Sequence, residues 1–132
     1  EVLSQDDFSP AACQGVVGIQ ARKEDIFANL FQKINDLKTQ IECTAERRVL
    51  KIINANCNSP ISVVSKIIND QIQIKVQLLN HTGETIFFKT YNDSVNKYEH
   101  LTDAIGNEIM SEVGEKQIEQ LNELEHDFDY TP

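Results

Sequence analysis

The sequence predicts an α+β fold: a three-stranded antiparallel sheet covered by helices. Three features carry that prediction. Residues 71–79 alternate strictly, with Ile72, Ile74, Val76 and Leu78 on one face and Gln71, Gln73, Lys75 and Gln77 on the other. The turn signals Asn69-Asp70 and Asn80-His81-Thr82-Gly83 bracket this run, so its neighbours fold back on it antiparallel. Apolar residues recur at helical spacing up to Ile52 and again from Leu101, which leaves helices and sheet in separate runs.

Taken in order, residues 15–20 (Gly-Val-Val-Gly-Ile-Gln) read as a short β-branched strand with no local partner. From Asp25, the spacing of Ile26, Phe27, Leu30, Phe31 and Ile34 predicts an amphipathic helix ending near Asn35 or Asp36. A second helix follows at once, with Thr39 and Glu42 as its capping box. Ile41, Ala45, Val49 and Ile52 form its buried stripe, while Cys43, Arg47, Leu50 and Asn54 occupy a different, partly polar face. Residues 55–60 (Ala-Asn-Cys-Asn-Ser-Pro) make a loop. The strands are then Ile61–Ile68, 71–79 and 84–91. Leu101, Ile105, Ile109 and Val113 predict a helix over 101–113 with Gly114 at its end, and Ile118, Leu121 and Leu124 a shorter one. The acidic tail from about 125 offers little to bury and is expected to fray.

At 132 residues the chain fits one domain with part of a second, and its 40% hydrophobic and 25% charged content excludes wholesale disorder. No apolar run is long enough to cross a bilayer, so no membrane association is expected. The net charge of -9 repels phosphate backbones and anionic lipid, which argues against nucleic acid as a partner. Much of that charge lies at the end, where six carboxylates from Glu115 onward face the single cation Lys116. Cys13, Cys43 and Cys57 show neither CxxC nor His spacing, which disfavours a metal site or a disulfide framework. A reducing, cytoplasmic location is expected. The first residue is Glu1, not Met, so the chain reads as a fragment or a processed product.

Cys57 stands out because it sits in a polar loop beside a proline, outside any apolar stripe. Taken alone, such a thiol is most often a loop residue without a task. A Cys-His protease is a poorer reading, since no pattern sets His81, His100 or His126 beside the thiol, and a helix C-terminus gives a thiolate no stabilisation. The arginines are Arg22, Arg47 and Arg48. Arg22 follows the first strand, and Arg47 shares a helix face with Asn54, directed toward the Cys57 loop. Surface pairing of Arg47 or Arg48 with Glu42 or Glu46 is the ordinary explanation. An arginine fork near a covalently held group would instead suit a carboxylate-bearing ligand.

Three segments, in order, resemble the porphobilinogen deaminase (hydroxymethylbilane synthase) family of tetrapyrrole biosynthesis. Pro10-Ala11-Ala12-Cys13-Gln14-Gly15-Val16-Val17-Gly18-Ile19-Gln20-Ala21-Arg22 is similar to the family's P-A-x-G-Q-G-x-x-G-I-E-x-R segment. Thr44-Ala45-Glu46-Arg47 matches its T-A-E-R helix, and Ala55-Asn56-Cys57-Asn58-Ser59-Pro60-Ile61 resembles its G-G-C-x-x-P-I loop. Here Ala55 and Asn56 replace two glycines, Cys13 replaces a glycine and Gln20 an acid.

The resemblance implies a transferase of heme biosynthesis that condenses four porphobilinogen units into hydroxymethylbilane with release of ammonia. It implies that Cys57 carries the dipyrromethane cofactor through a thioether, a bond that resists cytosolic thiols as a disulfide does not. Arg22 and Arg47 match positions suited to the acetate and propionate groups of the growing pyrrole chain. The match covers only the C-terminal part of the enzyme. Residues 23–132 are accordingly expected to be the third, cofactor-bearing domain and residues 1–22 a remnant of the preceding one. The catalytic aspartate belongs to the missing N-terminal domains, so no catalytic or metal-binding residue is assigned in this chain, and the isolated chain is expected to be inactive. The full-length protein is expected to be a monomer. The rival reading is a non-enzymatic α+β interaction module with an acidic docking helix and an unmodified Cys57.

Overall fold

The computed structural model describes residues 4, 8–22, 24 and 26–123. Among these described residues four α-helices, α1 (Ala28–Lys33), α2 (Leu37–Ile52), α3 (Tyr98–Val113) and α4 (Glu115–Asn122), accompany three strands, β1 (Ile61–Ile68), β2 (Gln71–Leu79) and β3 (Thr85–Ser94). A 3₁₀ turn, Val95–Lys97, leads into α3. The sheet is antiparallel in the order β1-β2-β3, and helices cover one of its faces, so the predicted α+β architecture holds.

The β1–β2 turn follows from its two residues. Asn69 and Asp70 both take positive φ, 49° and 61°, as a two-residue hairpin turn of the primed type requires. That turn pairs Ile68 with Gln71 and sets Val63 opposite Val76 and Ile61 opposite Leu78. All four predicted inward residues of β2 are buried, together with Val63 and Phe87 from its neighbours. The second turn is organised by Asn80, whose Oδ1 accepts from the Thr82 and Glu84 N–H groups at 3.0 and 2.9 Å, while Gly83 takes φ 82°. β3 runs three residues beyond the predicted 91, because Asn92, Asp93 and Ser94 continue the backbone ladder against Gln73, Ile72 and Gln71. Ladder pairing uses main-chain groups, and a hydrophobicity pattern does not register it.

Above the sheet, α2 contributes Ala45 and Val49, and Ile53 follows at its end; α3 contributes Ile105 and Ile109, and α4 Ile118 and Leu121. The two long helices meet where Gly106 lies against Ile52: a Cβ built on Gly106 would fall 2.6 to 2.9 Å from three Ile52 side-chain atoms. Polar pins flank this contact. The Arg48 guanidinium donates to Thr102 Oγ1 at 3.2 Å and to Asp103 Oδ1 at 2.7 Å. On the other side, the Lys89 ammonium donates to Glu108 at 2.6 Å and also to Glu112, and the Tyr91 hydroxyl donates to Glu108 at 2.9 Å, fixing α3 to β3.

Three expectations are corrected. α2 begins at Leu37, not at a Thr39/Glu42 capping box: Asp36 is the N-cap and accepts from the Thr39 N–H at 3.1 Å. Aspartate is a strong N-cap, and the bonds from Thr39 hold its carboxyl below its usual range. Glu42 instead accepts from the Ile67 N–H at 2.7 Å, tying α2 to β1. α1 is only six residues long and leaves Phe27, Leu30 and Ile34 exposed; without packing, so short a helix does not extend itself. Residues 15–20 form no strand among the described residues, and Val17 is 88% exposed. Their β-branched composition favours a strand, but a strand needs a ladder partner. The tail from 125 lies outside the described residues.

Candidate functional site

The Cys57 loop is built from the end of α2. Asn54 takes φ 51° and the Ala55 N–H returns to the Leu50 carbonyl at 2.9 Å, which ends the helix with an asparagine where glycine is usual. Neither Ala55 nor Asn56 takes positive φ, so their replacement of two motif glycines leaves the backbone unstrained. The next residues form a tight turn. Asn56 Oδ1 accepts from the Asn58 N–H at 2.8 Å, the Asn56 carbonyl accepts from the Ser59 N–H at 3.2 Å, and the Asn56 N–H donates back to Ser59 Oγ at 2.8 Å. Cys57 sits in that turn, exposed, with no bond to its sulfur among the described residues. A free, exposed thiol on a hydrogen-bonded turn is open to attachment of a bulky group.

Arg47 is exposed on α2 and makes no ion pair among the described residues, whereas Arg48 is committed to Asp103. The ordinary pairing with Glu42 or Glu46 therefore does not occur. Arg47 does not line the Cys57 loop. It borders an open cleft of about 1010 Å³ between residues 14–19 and α1 and α2, together with Thr39, Cys43 and Thr44. Helical side chains lean toward the N-terminus, which turns Arg47 away from the loop at the C-terminal end. Arg22 is exposed outside any regular element.

Glu46, the acid of the T-A-E-R segment, is only 7% exposed and joins three parts of the chain. From α2 it accepts the Ser65 N–H of β1 at 2.7 Å and the Cys13 N–H at 2.6 Å. The segment is held again where the Ser62 hydroxyl donates to the Pro10 carbonyl. Cys13 has φ 59°, a conformation glycine adopts without strain, which explains a glycine at this place in the motif. Burial first, and then the nearby Cys43 and Glu46, push the Cys13 thiol up to about 12. At neutral pH the Cys13 thiol therefore stays protonated and a poor nucleophile. Iodoacetamide, followed by peptide mapping, is expected to modify Cys57 well before Cys13; equal rates would contradict this arrangement.

Two side chains essential to the loop were not legible as site residues. Ser59 and Asn122 close hydrogen bonds around the turn, Asn122 from the end of α4. A lone asparagine at a helix end carries no sequence signal beyond a possible cap. Among the described residues no group of three His, Cys, Asp or Glu side chains is placed to hold a metal ion, and no helix is long and apolar enough to cross a membrane.

Fold and site together define a small α+β domain that displays an exposed thiol on the loop leading into its sheet, with no metal-holding group among the described residues. The chain belongs to the family described as porphobilinogen deaminase, C-terminal domain, whose model matches residues 40–111 and so includes Glu46, Arg47 and Cys57. It is similar to the porphobilinogen deaminase of Nitrobacter winogradskyi, 32% identical over 90 residues that make up 67% of this chain and 28% of that protein. The porphobilinogen deaminase of Nitrobacter hamburgensis is 28% identical over 116 residues, 87% of this chain and 37% of that protein. That of Acetivibrio thermocellus is 30% identical over 109 residues, 83% of this chain and 37% of that protein. The chain thus spans about a third of the length of these relatives.

Proposed function

We propose that this chain is the C-terminal, cofactor-bearing part of a cytoplasmic hydroxymethylbilane synthase, the transferase that condenses four porphobilinogen units with release of ammonia. Residues 23–132 are its third domain and residues 1–22 the end of the preceding one. The observation that carries the reading is the exposed Cys57 on a hydrogen-bonded turn within the family-matched segment. The site fits a covalently held dipyrromethane, since the sulfur is accessible and has no competing partner among the described residues. Dipyrromethane, when attached, supplies the pyrrole end to which porphobilinogen is joined.

The chain's own residues then have distinct tasks. Cys57 holds the primer while product leaves. Arg47 and Arg22 offer guanidinium forks to the acetate and propionate groups of the growing pyrrole chain, and Arg47 is not committed to a carboxylate among the described residues. No residue here acts as the catalytic acid; that group and most of the basic cleft come from the two N-terminal domains. Those domains would also cover the exposed apolar residues Val17, Ile26, Leu30, Ile34 and Leu37. The complete protein works as a monomer.

Ammonia release tests the reading. With porphobilinogen as sole substrate, the parent protein is expected to release ammonia and the isolated 132 residues none. Turnover by the isolated chain, or an inert parent, would contradict it.

A further inference from the structure

The loop that presents Cys57 is held from a distance, by a residue beyond the end of the family match at 111. Asn122, the last residue of α4, uses every polar group of its side chain there. Its Nδ2 donates to the Ile53 and Asn54 carbonyls, each at 3.0 Å, satisfying acceptors left over where α2 ends. Its Oδ1 accepts from the Ser59 hydroxyl at 2.5 Å. Its main-chain carbonyl accepts from Asn56 Nδ2 at 2.6 Å. The four bonds reach both arms of the loop, residues 53–56 before the thiol and Ser59 after it.

Ser59 and Asn56 are also the two residues that close the turn around Cys57, so Asn122 grips the turn at its own fastening. α4 is a firm base for this grip, because Ile118 and Leu121 are 3% and 2% exposed in the core. Only an uncharged amide supplies two donors and an acceptor at this place; a carboxylate would set negative charge against the Ile53 and Asn54 carbonyls.

We infer that Asn122 is a positioning residue for Cys57: by clamping both arms of the 53–60 loop it presents the sulfur at one place for attachment of its pyrrole primer. The purpose rests on the assignment of Cys57 above, whereas the clamp is read from Asn122 alone. The test compares wild type with Asn122→Ala and Asn122→Asp, measuring amide hydrogen exchange in the chain and the rate of primer attachment by intact mass in the parent protein. Losing one or more of these bonds is expected to speed exchange at Asn56, Asn58 and Ser59 about tenfold, with the β2 amides unchanged, and to slow attachment by a similar factor. Asn122→Asp at neutral pH is expected to behave as the alanine variant does. Unchanged exchange at 56–59, exchange raised equally throughout the sheet, or unaltered attachment beside a loosened loop would each overturn this inference. A wild-type parent with Cys57 unmodified would overturn the primer assignment itself, an outcome read without any Asn122 variant.

Discussion

Cys57→Ser is expected to abolish turnover in the parent protein while leaving its stability within about 0.5 kcal/mol of wild type. The two effects separate because the sulfur is exposed and bonds to nothing among the described residues, so an isosteric hydroxyl disturbs no packing. The turn is made by Asn56 and Ser59, which the substitution leaves in place. Serine cannot replace the thiol as a tether, since its hydroxyl is far less acidic and a poorer nucleophile than a thiolate. Ammonia release and thermal melting on the same sample check both halves. Activity retained by the serine variant would remove Cys57 from the mechanism.

Gly106→Ala is the second large effect, and here two physical terms oppose one another. Alanine in place of glycine inside a helix normally gains about 1 kcal/mol. At this position the new methyl would meet Ile52 Cγ2 at 2.6 Å and Cβ at 2.7 Å. The Cβ cannot swing aside as a side-chain tip can, so α2 and α3 must move apart and disturb the bonds from Arg48 to Thr102 and Asp103. Overpacking of this kind costs about 1–3 kcal/mol, enough to reverse the helix gain into a net loss. Denaturant melting of Gly106→Ala, Ile52→Ala and the double variant is expected to show a double variant more stable than the sum of the singles by at least about 0.5 kcal/mol. Strict additivity would mean that the helices do not touch here.

The sheet was legible because its signals are local. Alternation in β2 and two residues suited to left-handed backbone fix pairing and register without reference to the rest of the chain. The helical core was legible for the same reason, through Ala45, Val49, Ile105 and Ile109. What pattern missed depends on distance. Asp36 displaced the Thr39/Glu42 cap because both schemes satisfy the first helical turn, and Glu42 was needed by Ile67, 25 residues away. Residues 15–20 have strand composition but no ladder, and composition cannot report a missing partner. Cys57 stood out through its place in a polar loop outside any apolar stripe, but its role came from the resemblance of that loop and not from any activating neighbour. Glu46 lay inside a recognised motif, yet its burial between Cys13 and Ser65 appears only when three segments meet. Asn122 was invisible for the stronger reason that its partners lie 63 to 69 residues earlier.

The most direct measurement is the mass of the parent protein isolated from cells that make porphobilinogen, followed by peptide mapping. The account predicts a mass above that of the sequence by one dipyrromethane, located on the peptide that contains Cys57 and absent from Cys57→Ser. An active parent with Cys57 unmodified, or with its primer on another residue, would contradict it and leave the domain as an interaction module.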